Sequence, residues 1–278
     1  MRYRKYEGPM CRWIAYLGQP TYINEFLYDG PRSLCAQAQH SHKAKLGVHG
    51  DGGGLGWYSE HKCPGLYRNA GPAWADPNLR ELTTQVKAKL FFAHVRASTG
   101  APNTYVNCHP FRMENWLFMH NGQIGEFGKV QRQLQQVLSE TAYASMQGTT
   151  DSELMYCLLV TNGLFDDPKN AIRTTLRTIV AVCAEQEIKD PFRATFSVTN
   201  GDQVWAVRWS TDAYAPSLYK RDMDGNILLA SEPLDGETQN WQEIEPNSLI
   251  CLSRNADQNT TIETEILFDE VHQYVRAI

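Results

Sequence analysis

The sequence predicts an α+β fold in which antiparallel sheets pack together under helical layers. Three observations carry this prediction. Strand-like segments fill both ends of the chain, two helical stretches occupy its middle, and the regular strand–helix–strand alternation of a parallel, doubly wound sheet is missing. No internal repeat, low-complexity tract or linker interrupts the 278 residues, so residues 11–278 are expected to form one domain behind an extension of residues 1–10.

The apolar run from Ile14 to Leu17 reads as a buried strand. Short helical stretches around Ile23 to Tyr28 and Leu34 to His42 lead into the glycine-rich segment from Gly50 to Tyr58. Residues 78–88 read as a helix, followed by a strand from Leu90 to Arg96 with a polar end. A second such strand, Trp116 to Met119, runs into His120-Asn121-Gly122, where asparagine and glycine mark a turn. Asp151 to Leu164 and Asn170 to Ile188 carry helical spacing, with Thr150 or Asp151 available as a cap. From Arg193 the pattern returns to strands, with turns at Asn200-Gly201-Asp202 and Asp224-Gly225. The last strands are expected at Ser248 to Ser253 and Thr261 to Phe268, with no second domain after them.

Composition excludes several classes of function. A hydrophobic content of 42% with 11% aromatics suits a packed core rather than disorder. The net charge of −5 gives no reason to expect nucleic acid, and the cluster Arg2, Arg4, Lys5 is too short for a phosphate-binding surface. No apolar run approaches the roughly 18 residues of a membrane span. Seven cysteines without CxxC spacing fit reduced thiols and a cytoplasmic location better than a disulfide frame or a zinc knuckle.

Cys11 stands directly behind Met10. Removal of everything through Met10 would give one residue both a thiol and a primary α-amino group. That amine has a reference pKa of about 7.7–8.0, suited to accepting and returning a proton. Three further segments put polar residues at strand ends or a helix start: His94-Val-Arg-Ala-Ser-Thr-Gly100, Met119-His-Asn-Gly122 and Gly148-Thr-Thr-Asp-Ser-Glu153.

With Met-Cys-Arg, HVRAST, NCHPF at 107–111, MHNGQI at 119–124, TTDSE at 149–153 and ASEP at 230–233, the chain resembles the class II glutamine amidotransferase domain of the N-terminal-nucleophile hydrolases. It looks similar to their stand-alone branch, which includes YafJ-like proteins and ergothioneine-pathway amidohydrolases. The resemblance implies a four-layer αββα sandwich of two antiparallel sheets. It also implies hydrolysis of a γ-glutamyl amide, from glutamine or another γ-glutamyl compound, through a thioester on Cys11. Asn121 and the Gly122 backbone N–H would be the oxyanion donors. Arg96 would grip the substrate α-carboxylate, Asp151 would accept from its α-ammonium, and Ser98 and Thr99 would add hydrogen bonds. No cofactor or metal is implied, and a separate synthase could receive the ammonia. Ala97 and Gly100 replace the tryptophan and histidine common in synthase-fused members, so the glutamine-lid contacts of those enzymes do not carry over.

Each residue also has a plainer reading. Cys11 could be a buried small side chain, Arg96 an ion-pair partner, Asp151 a cap, and Asn121-Gly122 an ordinary turn. His94 and His120 read as core histidines. Gly50 to Gly56 lacks the lysine of a phosphate loop, and adjacent Cys108 and His109 would point to opposite faces of a strand and so make a poor metal pair. Two competing functions remain: a catalytically silent binding or regulatory protein on the same scaffold, and a thiol hydrolase using Cys108 and His109.

Overall fold

The computed structural model describes residues 11–39, 50–96 and 102–268. Its strands are β1 (Arg12–Tyr22), β2 (Gly53–Tyr58), β3 (Gly65–Asn69), β4 (Lys87–Val95), β5 (Phe111–Met113), β6 (Trp116–Gln123), β7 (Arg193–Thr199), β8 (Val204–Ser210), β9 (Tyr219–Asp222), β10 (Ile227–Ala230), β11 (Gln242–Glu243), β12 (Ser248–Arg254) and β13 (Thr260–Ile266). The helices are α1 (Asn24–Leu27), α2 (Leu34–Gln39), α3 (Pro77–Gln85), α4 (Phe127–Gln136), α5 (Glu140–Ser145), α6 (Asp151–Thr161) and α7 (Pro168–Glu185). The expected helix at 34–42 is described only through Gln39. No helix among the described residues is long and apolar enough to cross a membrane.

Two antiparallel sheets face each other. One has the strand order β11-β9-β10-β1-β4-β2-β3, the other β13-β12-β8-β7-β6-β5. Trp13, Ala15 and Leu17 of β1 and Leu90 and Phe92 of β4 meet Leu117 and Met119 of β6, Ala206 of β8 and Ile250 of β12 in the layer between the sheets. The alternate residues Ile14, Tyr16, Phe91 and Val95 pack outward against Leu27, Leu34 and Leu79 of α1–α3. Phe118, Phe196 and Val207 pack outward from the second sheet against Val130, Leu158 and Ile172 of α4, α6 and α7. The result is the αββα sandwich. Strands buried on both faces read as unbroken apolar runs, which is why β1, β4 and β6 stood out in the sequence.

The segment from His120 to Gly122 is not the turn that Asn-Gly suggests. It continues β6, with Asn121 opposite Thr195 and Gly122 opposite Ala194 of β7. Pairing along a whole central strand outweighs the local turn preference of two residues. Helix α6 also departs from an amphipathic reading: every residue from Ser152 to Leu159 is buried. α4, α5, α7 and β6 all touch it, and a helix enclosed on all sides needs apolar residues all round. Thr150 is its cap, accepting from the Glu153 N–H at 3.1 Å.

Candidate active site

Cys11 immediately precedes β1, in the centre of its sheet. β1 is held on one side by β4, with Arg12 opposite Val95. On the other side the Trp13 N–H donates to Ser231 Oγ and the Ser231 N–H to the Trp13 carbonyl, both at 3.0 Å. The ASEP segment therefore serves as a splint for the residues next to Cys11. Carried back one residue beyond β1, strand alternation puts Cys11 in step with Trp13 and Ala15, which face the layer between the sheets. Its side chain is half-buried. Arg12 Nη1 donates to the Cys11 carbonyl at 3.3 Å. Burial lowers the Arg12 pKa, opposed by Glu232 and Cys11, so the Arg12 guanidinium stands close enough to Cys11 to interact with it electrostatically.

Asn121 lies in step with Leu117 and Met119, so the opposite sheet directs it toward the same layer. It is only 2% exposed, and its Nδ2 is buried without a hydrogen-bond partner. Native proteins rarely leave a buried donor unmatched, because its desolvation is uncompensated. Such a donor suits an oxygen that arrives with a ligand. Gly122, at φ +153°, leaves no room for a side chain: a Cβ there would lie 2.0 Å from the Arg193 carbonyl oxygen. Gly122→Ala is therefore expected to lower unfolding stability by about 3 kcal/mol in urea denaturation, through backbone displacement along β6 and β7.

Arg96 follows β4 and is 4% exposed. Its N–H donates to the Gly52 carbonyl at 2.8 Å, and its Nη1 reaches the Asp51 and Pro102 carbonyls, each at 3.3 Å. Asn107, to which sequence reasoning gave no role although it opens NCHPF, ties this corner to α6. Its Nδ2 donates to the Pro102 carbonyl at 2.9 Å and its Oδ1 accepts from the Thr149 N–H at 3.0 Å. The TTDSE segment is bonded at each residue. Beyond the Thr149 and Thr150 bonds, Asp151 Oδ2 accepts from the Ile124 N–H at 2.9 Å and its Oδ1 from the Ser152 N–H at 2.8 Å. The Glu153 carboxylate accepts from the N–H groups of Gln147 and Gly148 at 2.9 and 2.7 Å. Asp151 thus fastens the start of α6 to the end of β6, just beyond Asn121 and Gly122. Ser98 and Thr99 lie outside the described residues, as do Ala97, Gly100 and residues 1–10.

The glycines of β2 are explained by close approach rather than by phosphate. A Cβ at Gly54 would sit 2.3 Å from the His109 carbonyl oxygen, and one at Gly56 2.6 Å from Leu117 Cδ1. The Cys108–His109 pair does not form a nucleophile and base. Both ring nitrogens of His109 are buried without a partner, and the Cys108 thiol donates to the carbonyls of Asn69 and Thr104 at 3.3 and 3.4 Å. Burial raises the Cys108 pKa despite Arg96 and Arg68, and so keeps it a thiol. Burial, with the nearby cationic and imidazole groups, pushes His109 well below the usual histidine range; burial also lowers His120. Among the described residues no three His, Cys, Asp or Glu side chains are grouped to hold a metal ion.

The model of the family described as glutamine amidotransferases class-II matches residues 28–273. Over 95% of its length this chain is 30% identical to the probable glutamine amidotransferase DUG3 of Saccharomyces cerevisiae, covering 86% of that protein. It is 26% identical to the gamma-glutamyl-hercynylcysteine sulfoxide hydrolase of Mycolicibacterium smegmatis, over 87% of this chain and 95% of that one. Among solved structures, a glutamine aminotransferase class-II domain protein from Silicibacter pomeroyi superposes with a TM-score of 0.70 at 28% identity, covering 91% of this chain and 98% of that one.

Proposed function

Since the chain belongs to the class-II glutamine amidotransferases, we propose that it hydrolyses a γ-glutamyl amide through a thioester on Cys11. The observation that carries this reading is the buried, unmatched Asn121 Nδ2, on the strand facing the sheet that presents Cys11. In this mechanism the primary α-amino group of Cys11 takes the thiol proton and Sγ bonds to the γ-carbonyl carbon. Asn121 Nδ2 and the Gly122 N–H receive the developing oxyanion. The C–N bond breaks, and the leaving amine takes the proton back from the Cys11 ammonium. Water, deprotonated by the same amine, then cleaves the thioester and releases the γ-carboxylate.

Arg96 binds the substrate α-carboxylate, Asp151 the α-ammonium, and Ser98 and Thr99 add hydrogen bonds. Both Asp151 oxygens already accept from backbone N–H groups, and a carboxylate has about four lone-pair sites, so capacity is left for an ammonium. Arg96→Lys is expected to raise KM for the γ-glutamyl donor about 10- to 100-fold, with kcat within about three-fold. A lysine cannot reproduce the planar fork that a carboxylate meets.

A peptide nitrogen cannot serve as the base, so the bond between Met10 and Cys11 must be absent in the active form. The donor is glutamine or, as the name of the mycobacterial relative suggests, a larger γ-glutamyl compound. With glutamine, a separate synthase could take up the ammonia, and reduced thiols fit action in the cytoplasm. The test is a panel of glutamine and γ-glutamyl dipeptides, run on protein beginning at Cys11. Glutamate release from at least one member is expected. Binding without release would favour a silent binding protein instead.

A further inference from the structure

The nucleophile and its oxyanion donors stand on different sheets, so the attack geometry depends on how those sheets are held. Most of the layer between them is apolar, and apolar contact is non-directional. At the end of the sandwich away from Cys11, directional bonds cross it. Tyr58 OH donates to the Asn115 carbonyl at 2.6 Å, and Thr260 Oγ1 to the Leu17 carbonyl at 2.9 Å. At the Cys11 end the corresponding bond comes from His94, which lies beside Trp13 in the β1–β4 ladder. His94 Nε2 is 3.3 Å from the carbonyl oxygen of His120, the residue directly before Asn121. A carbonyl only accepts, so Nε2 carries the hydrogen.

Both partners are clamped. The His94 ring packs against His109 with centroids 4.2 Å apart, and His109 in turn packs against Phe111 at 4.6 Å. The His109 backbone is pressed against β2 at Gly54. His120 is held from the helical side, its Nδ1 being 2.9 Å from Ser152 Oγ. His94 and His120 are each 1% exposed. Neither reaches substrate in the mechanism above.

We propose that His94 is a positioning residue: its bond to the His120 carbonyl fixes where Asn121 and Gly122 stand relative to Cys11. The proposal rests on the thioester reading, but the two fail differently. In protein beginning at Cys11, His94→Leu is expected to lower kcat about 10- to 100-fold on the fastest donor of the panel, with KM within about three-fold. His94→Gln, whose amide can still donate to the carbonyl, should recover to within about five-fold of wild type. If His94→Leu folds poorly, His94→Asn replaces it, since its shorter amide cannot span to the carbonyl and the same loss is expected. Crystal structures of wild type and variant supply a readout independent of activity, in which Asn121 Nδ2 is expected to shift relative to Cys11 Sγ. An unchanged kcat, an effect carried by KM, no recovery with glutamine at position 94, or an unmoved Asn121 overturns the positioning role. Glutamate release by Cys11→Ala would instead overturn the thioester reading, and the structural comparison would still decide the role of His94.

Discussion

Cys11→Ser is expected to release glutamate at least about 10³-fold more slowly than the wild-type protein when both begin at residue 11. The hydroxyl is a far weaker nucleophile than a thiol at neutral pH, and an α-amine near neutrality is too weak a base to compensate. The substitution exchanges one atom in a half-buried side chain, so thermal unfolding should move by only a few degrees. Cys108→Ala is the matched control. Its thiol is buried, kept protonated and bonded to backbone groups, so its loss should leave the rate within about three-fold. The opposite pair of results would restore the Cys108–His109 reading.

Asn121→Ala is expected to reduce kcat about 10²- to 10³-fold with little change in KM, the signature of a donor that acts chiefly as charge develops. Stability gives this prediction a second, less usual sign. Asn121 Nδ2 is buried without a hydrogen-bond partner from the protein, so removing it relieves an uncompensated desolvation. The melting temperature should therefore stay level or rise while activity collapses. A structural asparagine would show the reverse, with lost stability and retained turnover. Steady-state kinetics and calorimetry on one preparation separate the two.

Much of the fold was legible because the central strands are buried on both faces. Ile14–Leu17, Leu90–Arg96 and Trp116–Met119 announced themselves as apolar runs, and the two hairpin turns near Gly201 and Gly225 by their turn residues. Helix α4 was not legible: FGKVQRQLQQ buries only Val130 and Leu134, so few apolar residues mark it in the sequence. Asn121-Gly122 misled for a related reason. Local turn chemistry was visible in the sequence, whereas the pairing with Thr195 and Ala194, some seventy residues on, was not.

The candidate site was legible as a set of residue types at strand ends, but not as a network. Nothing in the sequence indicated that Asn107 joins the Pro102 carbonyl to Thr149, or that Asp151 anchors Ile124. Nor did it reveal that His94 reaches across to His120. Each of these bonds joins segments brought together only by the sandwich. The histidines read as core residues, and core residues they are, but the hydrogen bond one of them makes gives it a place beside the chemistry.

The central claim is that the acyl group is carried by Cys11. It is tested most directly by mass spectrometry of protein beginning at Cys11, quenched in acid during turnover of a γ-glutamyl substrate and digested. The account predicts a γ-glutamyl adduct on the peptide that starts with Cys11. An adduct on any other cysteine, or the same adduct and turnover in protein whose Cys11 amine remains joined to Met10, would contradict it.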